Sequence, residues 1–162
     1  KPGMFWCTRL ISAGKPFKFC AKKEWNGDFT NLGAEDTGFT VADNNCTVAE
    51  TGVYTIVVDI KGAKITIAKA EVFGIGDAFG SWDAGKYPFT INEDGTATIT
   101  TAAAGNLRMY TAVPGVDWWQ AEYNIYDGKI QYRGEGGDQA AVSVAANATV
   151  TVNFNAGTGE IK

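Results

Sequence analysis

Gly52-Val53-Tyr54-Thr55-Ile56-Val57-Val58-Asp59-Ile60, then Lys61-Gly62, then Ala63-Lys64-Ile65-Thr66-Ile67, is the stretch that decides the fold. It is dense in β-branched and aromatic residues, which suit a pleated, half-buried surface. The two-residue break at Lys61-Gly62 predicts a tight turn and a returning strand. The hairpin recurs later in the chain. A shift of 94 residues lays residues 54–60 on Ala148-Thr149-Val150-Thr151-Val152-Asn153-Phe154, Ile67 on Ile161 and Trp25 on Trp119. A shift of 90 lays Phe17-Lys18-Phe19 on Leu107-Arg108-Met109, so a few residues are inserted between. Self-similarity at a fixed offset is the mark of a repeated structural unit.

Around the hairpin, short strands alternate with turn signals. Residues 4–11 read as a strand, and residues 16–22 as its hairpin partner across Ser12-Ala13-Gly14-Lys15. Alternation puts Trp6, Thr8, Leu10, Phe17 and Phe19 on one face and Arg9, Lys18 and Lys22 on the other. In that hairpin Cys7 would lie opposite Cys20, leaving open either a disulfide or two free thiols. A third thiol, Cys46, makes the count odd and fits no closed disulfide framework. A new unit starts near residues 68–71 with the strand Val72-Phe73-Gly74-Ile75-Gly76, and no convincing helix appears. The first half has no counterpart of residues 72–90. The expectation is therefore an all-β chain of two tandem immunoglobulin-like or carbohydrate-binding-module-like β-sandwiches, residues 1–69 and 70–162, the first lacking its opening strand.

Composition narrows the function. The chain has 162 residues, a net charge of −4 and no histidine. A mildly acidic surface disfavours nucleic acid and anionic membranes. The lack of histidine removes His-based triads and mixed-ligand zinc sites. No run approaches the ~18 apolar residues of a membrane span. The abrupt start at Lys1-Pro2-Gly3 reads as a processed or cut piece of something longer. No cofactor or metal is called for. Asn92-Glu93-Asp94-Gly95 lacks the spaced ligands of a calcium loop and reads as a hairpin turn.

The chemistry concentrates in Asp117-Trp118-Trp119-Gln120-Ala121-Glu122-Tyr123, just after the turn Pro114-Gly115. A weaker copy is Lys23-Glu24-Trp25-Asn26-Gly27-Asp28-Phe29, and Gly80-Ser81-Trp82-Asp83 adds an aromatic loop tip. A pyranose has an apolar face that stacks on an indole and a rim of hydroxyls that takes hydrogen bonds. Tryptophans beside amides and charges therefore suit a sugar surface. The competing reading is half-buried packing at the end of a sheet. In extended chain Trp118 and Trp119 point opposite ways, so one is expected outside and the other packed inward. Arg108 alternates away from Leu107 and Met109, and its fork of donors suits vicinal hydroxyls; a solvated charge is the alternative, as for Lys18. Asp83, Asp117 and Glu122 also invite comparison with a glycosidase carboxylate pair, but nothing sets two of them at the needed separation.

The order of a strand, the Gly80-Ser81-Trp82-Asp83 turn, a hairpin, a Phe-Lys-Phe-like strand, a Trp loop and a closing Val/Thr hairpin resembles the tandem domains of the SusE and SusF outer-membrane starch-binding lipoproteins. Residues 72–77 with Ser81-Trp82-Asp83 are similar to the start of such a domain; residues 16–25 and 52–56 are similar to its middle and end. The resemblance implies non-catalytic binding of a neutral polysaccharide of the starch or α-glucan kind. It also implies a lipid-anchored place on the bacterial cell surface, through a segment outside this chain, and other outer-membrane glycan-uptake proteins as partners. The implied glycan-binding residues are Trp82, Trp118, Trp119, Arg108, Gln120 and Tyr123, with Trp25 and Lys18 in the first half. The first half departs from the pattern where the Trp82 loop is missing. Two other readings stay open: a structural spacer with no ligand, and a glycosidase accessory or catalytic domain.

Overall fold

The computed structural model describes residues 1–24 and 26–162. The protein is nearly all β, with two single-turn 3-10 helices among the described residues. It divides into two compact units, Lys1–Lys69 and Ala70–Lys162.

The first unit contains β1 (Met4–Ile11), β2 (Phe19–Cys20), β3 (Asp28–Phe29), β4 (Thr40–Ala42), β5 (Asn45–Thr47), β6 (Gly52–Asp59) and β7 (Lys64–Lys69). Its main sheet is antiparallel in the order β1-β6-β7. The opening stretch of the sequence analysis is thus the β6–β7 hairpin, with β6 bonded on both sides. Val48, Tyr54, Ile65 and Ile67 form the buried centre, and Phe17, Phe19, Phe29, Leu32 and Phe39 pack against it. Burying side chains of this size contributes about 1.5–3 kcal/mol each. The covering layer is built of short two-stranded ladders, β2-β3 and β4-β5. Asp43 and Asn44 join β4 to β5 with φ of 49° and 56°, the left-handed pair that a tight hairpin needs.

One expected hairpin does not form. Residues 16–22 are not the partner of 4–11; β1 instead pairs along its whole length with β6, from Met4↔Asp59 to Ile11↔Gly52. The reason is length and apolar content. β6 offers eight matched residues, whereas the nearer segment, residues 16–22, starts at Pro16, which has no N–H for a ladder. The Ser12–Lys15 loop is held elsewhere: the Gly14 amide donates to the Val48 carbonyl at 3.2 Å, and the Ala13 amide to Thr51 Oγ1 at 2.9 Å. Cys7 therefore faces Ile56 in the ladder and Cys20 faces Asp28. Both are exposed free thiols, and Cys46 is a buried one.

The second unit contains β8 (Val72–Ile75), β9 (Tyr87–Pro88), β10 (Thr90–Ile91), β11 (Thr96–Thr100), β12 (Gly105–Asn106), β13 (Arg108–Thr111), β14 (Glu122–Tyr126), β15 (Lys129–Tyr132), β16 (Ser143–Val144), β17 (Thr149–Asn153) and β18 (Thr158–Ile161). Nine strands follow one another in the order β10-β11-β17-β18-β15-β14-β13-β8-β9. The link between β15 and β18 is a single pair, Lys129↔Thr158. The ladder turns there, giving layers β10-β11-β17-β18 and β15-β14-β13-β8-β9. Their inner faces meet where the Tyr123 ring lies edge-on to Phe154 at 5.7 Å, among buried Leu107, Met109, Val150 and Val152.

The offsets seen in the sequence also relate the ladders. Val58↔Ile65 in the first unit becomes Val152↔Gly159 in the second. Phe19↔Phe29 becomes Met109↔Tyr123. β1 takes beside β6 the place that β11 takes beside β17, and strands β8 to β10 have no counterpart among the described residues of the first unit.

The thiols give a direct check on the β1–β6 pairing. Titration of the native protein with a chromogenic disulfide should find two reactive thiols, Cys7 and Cys20, and a third only in denaturant. A native count of none would mean the two are oxidised together and β1 pairs otherwise.

Candidate functional site

The second unit collects its aromatic and charged loop residues on one rim. β8 closes on Gly74-Ile75 and is followed by Gly76 because bulky groups press on this backbone. A Cβ on Gly74 would lie 2.2 Å from the Phe79 ring. Gly76 has a φ of 89°, a region rarely open to other residues, and the Trp82 indole lies over it, 3.3 Å from where a Cβ would be. The Gly76 amide donates to the Ser81 carbonyl at 2.7 Å, which closes the loop that carries Trp82. Within that loop Ser81 Oγ donates to Asp83 Oδ2 at 2.8 Å and takes the Asp83 amide at 3.1 Å. The Ser81 hydrogen bond, followed by the charge of Lys86, holds the Asp83 carboxyl below the usual carboxylate range. Trp82 itself is 56% exposed.

Trp118 is half-buried beside it. The two ring centres are 6.2 Å apart and the planes tilt by 53°. Tyr110, on β13, backs Trp118 at 6.2 Å and stacks on Phe73 at 5.5 Å. Its hydroxyl accepts the Gly85 amide at 2.7 Å, so one tyrosine supports Trp118 and pins the Trp82 loop. Burial pushes its hydroxyl pKa up.

Trp118-Trp119-Gln120 is a 3-10 turn, not extended chain. This corrects the expected opposition of the two indoles: in a 3-10 turn successive side chains step by about 120° rather than 180°. Neither indole lies in the core. Trp118 rests against Tyr110 and Trp82, and Trp119 is 39% exposed with the Arg133 guanidinium over its ring at 5.2 Å. Gln120 is partly spent locally, its Oε1 accepting the Asp117 amide at 3.2 Å.

Beneath the aromatics is a compact charge cluster. Glu122 is 1% exposed. Its two oxygens take different arginines: Arg108 Nη1 donates to Oε1 at 2.8 Å and Arg133 Nη1 to Oε2 at 2.9 Å. Asp138, on an exposed glycine-rich loop, stands 2.8 Å from Arg133 and 3.6 Å from Arg108. The Arg108 guanidinium lies 5.7 Å from the Trp82 ring centre. Arg108 lies on the face away from Met109, as alternation suggests, but the alternative of a solvated charge fails: its side chain is 13% exposed and its Nε is buried without a hydrogen-bond partner.

Three further sequence expectations need correction or relocation. Tyr123 is fully buried and cannot touch a ligand. Both faces of β14 are covered, so alternation gives it no outer side, and desolvation drives its hydroxyl pKa far up. Lys18 belongs to the first unit and is engaged with Asp28 at 2.8 Å; accepting that hydrogen bond, beside the Lys18 charge, lowers the Asp28 pKa. Trp25 lies outside the described residues. Sequence reasoning missed Tyr110 and Arg133. Tyr110 had a signal, since it shares the Arg108 face two residues on; Arg133, at a strand end before a glycine-rich break, had none. Among the described residues no cluster of metal-ligand side chains occurs.

An all-β unit that sets tilted indoles and a clamped guanidinium on one rim has the make-up of a carbohydrate-binding module. Comparison with known proteins points to the same class. Residues 71–160 match the model of the family described as SusF/SusE starch specific CBMs. The outer membrane protein SusF of Bacteroides thetaiotaomicron is 32% identical over 178 aligned positions, covering 99% of this chain and 37% of that protein. The crystal structure of SusF from that organism superposes with a TM-score of 0.89 at 30% identity, over 99% of this chain and 40% of that one. The chain belongs to the SusF/SusE family, and it spans less than half the length of the relatives it matches.

The Gly76 contact predicts a measurable strain. Gly76→Ala should destabilise the second unit by about 1–3 kcal/mol, the usual cost of a non-glycine residue in this backbone region, and should perturb tryptophan emission as the Trp82 indole shifts. Urea denaturation followed by fluorescence checks both; an unchanged midpoint and spectrum would show the contact to be slack.

Proposed function

We propose that the second unit binds starch or a closely related α-glucan at the bacterial cell surface and carries out no catalysis on it. The observation that carries this reading is the Trp82–Trp118 pair, tilted by 53°, with Arg108 beside Trp82. Two flat apolar faces at an angle suit successive glucose rings of a polymer that curves, and a flat strand of sugars would meet only one of them. Indoles supply such faces at little entropy cost. Sugar hydroxyls lose water on binding, so affinity depends on donors that replace it; the accessible edges of the Arg108 and Arg133 guanidinium groups, whose side chains are 13% exposed, are suited to that. Trp119 under Arg133 flanks the pair as a lesser contact.

Membership of the SusF/SusE family supports the substrate class, and the name of the Bacteroides relative supports the outer-membrane placement. The non-catalytic reading is supported by the state of Glu122. A general acid must exchange a proton with the glycosidic oxygen, and this carboxylate is buried and held by two arginines. The first unit has no counterpart of the Trp82 loop, so we assign it the weaker binding. Other outer-membrane glycan-uptake proteins are the proposed partners, in keeping with the same family.

With one or two stacked rings and a few hydrogen bonds, the affinity for a short glucan should lie between micromolar and millimolar, about −8 to −4 kcal/mol. Repetition along the polymer would then raise the effective affinity. Affinity electrophoresis in gels containing amylopectin tests the reading. Trp82→Ala and Trp118→Ala should each weaken retardation by about tenfold in Kd, or ~1.4 kcal/mol. Trp82→Ala should keep its fold, being half-exposed, whereas Trp118→Ala should also lose stability against Tyr110. Wild-type retardation in both variants would move the site elsewhere and favour a spacer role.

A further inference from the structure

We infer that Glu122 is a positioning and specificity-determining residue of the glucan site: its buried carboxylate fixes Arg108 and Arg133 beside Trp82 and Trp119 and cancels their charge, so that the rim takes neutral rather than anionic glycans. This rests on the glucan-binding reading of the same rim.

The geometry points to Glu122 in three ways. First, it is the shared partner of both arginines, through separate oxygens at 2.8 and 2.9 Å. Each guanidinium in turn sits over one exposed indole, Arg108 on Trp82 and Arg133 on Trp119. A long, flexible arginine side chain loses rotamer freedom when it is held; one prearranged by a buried carboxylate has already lost it before the sugar arrives. Second, the charges balance. Two guanidinium groups meet two carboxylates, those of Glu122 and Asp138. Without Glu122 the rim would carry a surplus cation with its side chain only 13% exposed, close to indoles that lower the local dielectric, where attraction for an anion is strongest.

Third, the internal repeat supplies a comparison. Position 108 corresponds to Lys18 and position 122 to Asp28, by the offsets that relate the ladders. Among the described residues the first unit keeps one ion pair at these positions, Lys18–Asp28, with side chains 21% and 24% exposed. Deep burial, arginine in place of lysine and a second arginine come together in the unit that has the Trp82 loop. Arginine offers a planar fork of donors suited to paired oxygens, which lysine lacks. If the pair served only the fold, the simpler version would suffice in both units.

The test uses the whole chain and two probes, maltoheptaose by calorimetry and a dextran sulfate column at low ionic strength. Glu122→Gln keeps the shape and an acceptor oxygen but removes the charge. It should weaken maltoheptaose binding by about tenfold and gain retention on dextran sulfate, which the wild type should lack; added salt should abolish the gain. A purely structural role for Glu122 would lower the melting temperature without creating anion retention. Folded Glu122→Gln with wild-type affinity for maltoheptaose, or without retention on dextran sulfate, would overturn the inference. Should Glu122→Gln fail to fold, Asp138→Asn decides. Asp138 is on an exposed loop and is the second carboxylate of the cluster, so removing its charge leaves both Glu122 pairs intact but should itself bring salt-sensitive retention on dextran sulfate; a folded Asp138→Asn without that retention would overturn the inference. A loss of maltoheptaose affinity in Asp138→Asn of about tenfold would show that Asp138 holds the arginines, and the inference would fall. Wild-type protein that does not bind maltoheptaose overturns the glucan reading as well; wild-type protein that binds, with Glu122→Gln unchanged, overturns this inference alone.

Discussion

A carboxylate taken out of water must be paired, because an uncompensated buried charge costs several kcal/mol. Glu122 imposes that constraint on the second unit. It opens β14, in the middle of a layer, and its pairing requires Arg108 from β13 and Arg133 from just beyond β15 to converge on one point. The three strands are thereby fixed in register at their site end. The aromatic rim is built on the result: Arg108 lies over the Trp82 ring, Arg133 over that of Trp119, and Tyr110, two residues after Arg108, supports Trp118.

The apolar core does the complementary work. Tyr123, next to Glu122, points into the space between the layers against Phe154 and Tyr132. Glu122 and Tyr123 thus anchor β14 on its two faces, one by charge and one by packing. The glycines at 74 and 76 allow Phe79 and Trp82 to close over β8. The loop carrying Trp82 is held by short hydrogen bonds at Gly76, Ser81 and Gly85. An aromatic surface prepared this way is ordered before any ligand arrives, which lowers the entropy cost of the binding proposed for it.

Much of this was legible in the residues. The β6–β7 hairpin, its copy 94 residues on and the restart at Val72 all follow from β-propensity and turn signals. The family could be read from short motifs spread along the chain, and the tryptophan segments drew attention to the rim where Trp82, Trp118 and Trp119 gather. What could not be read was set by contacts distant in sequence. The partner of β1 lies 41 to 55 residues away, and local hairpin logic chose the nearer segment. Alternation failed at Trp118 and Trp119 because the chain takes a 3-10 turn there. It failed at Tyr123 because both faces of β14 are covered. Lys18 and Arg108 looked like solvated charges, since nothing local announces a carboxylate partner on the neighbouring strand, half-exposed Asp28 for one and buried Glu122 for the other.

The central claim is that a glucan stacks on Trp82 and Trp118. It is tested most directly by the indole N–H resonances of the five tryptophans, assigned and followed by nuclear magnetic resonance during titration with maltoheptaose. The account predicts saturable shifts of the Trp82 and Trp118 signals with one common dissociation constant, a smaller shift at Trp119 and none at Trp6. Saturation with Trp82 and Trp118 unmoved, while another indole responds, would contradict it.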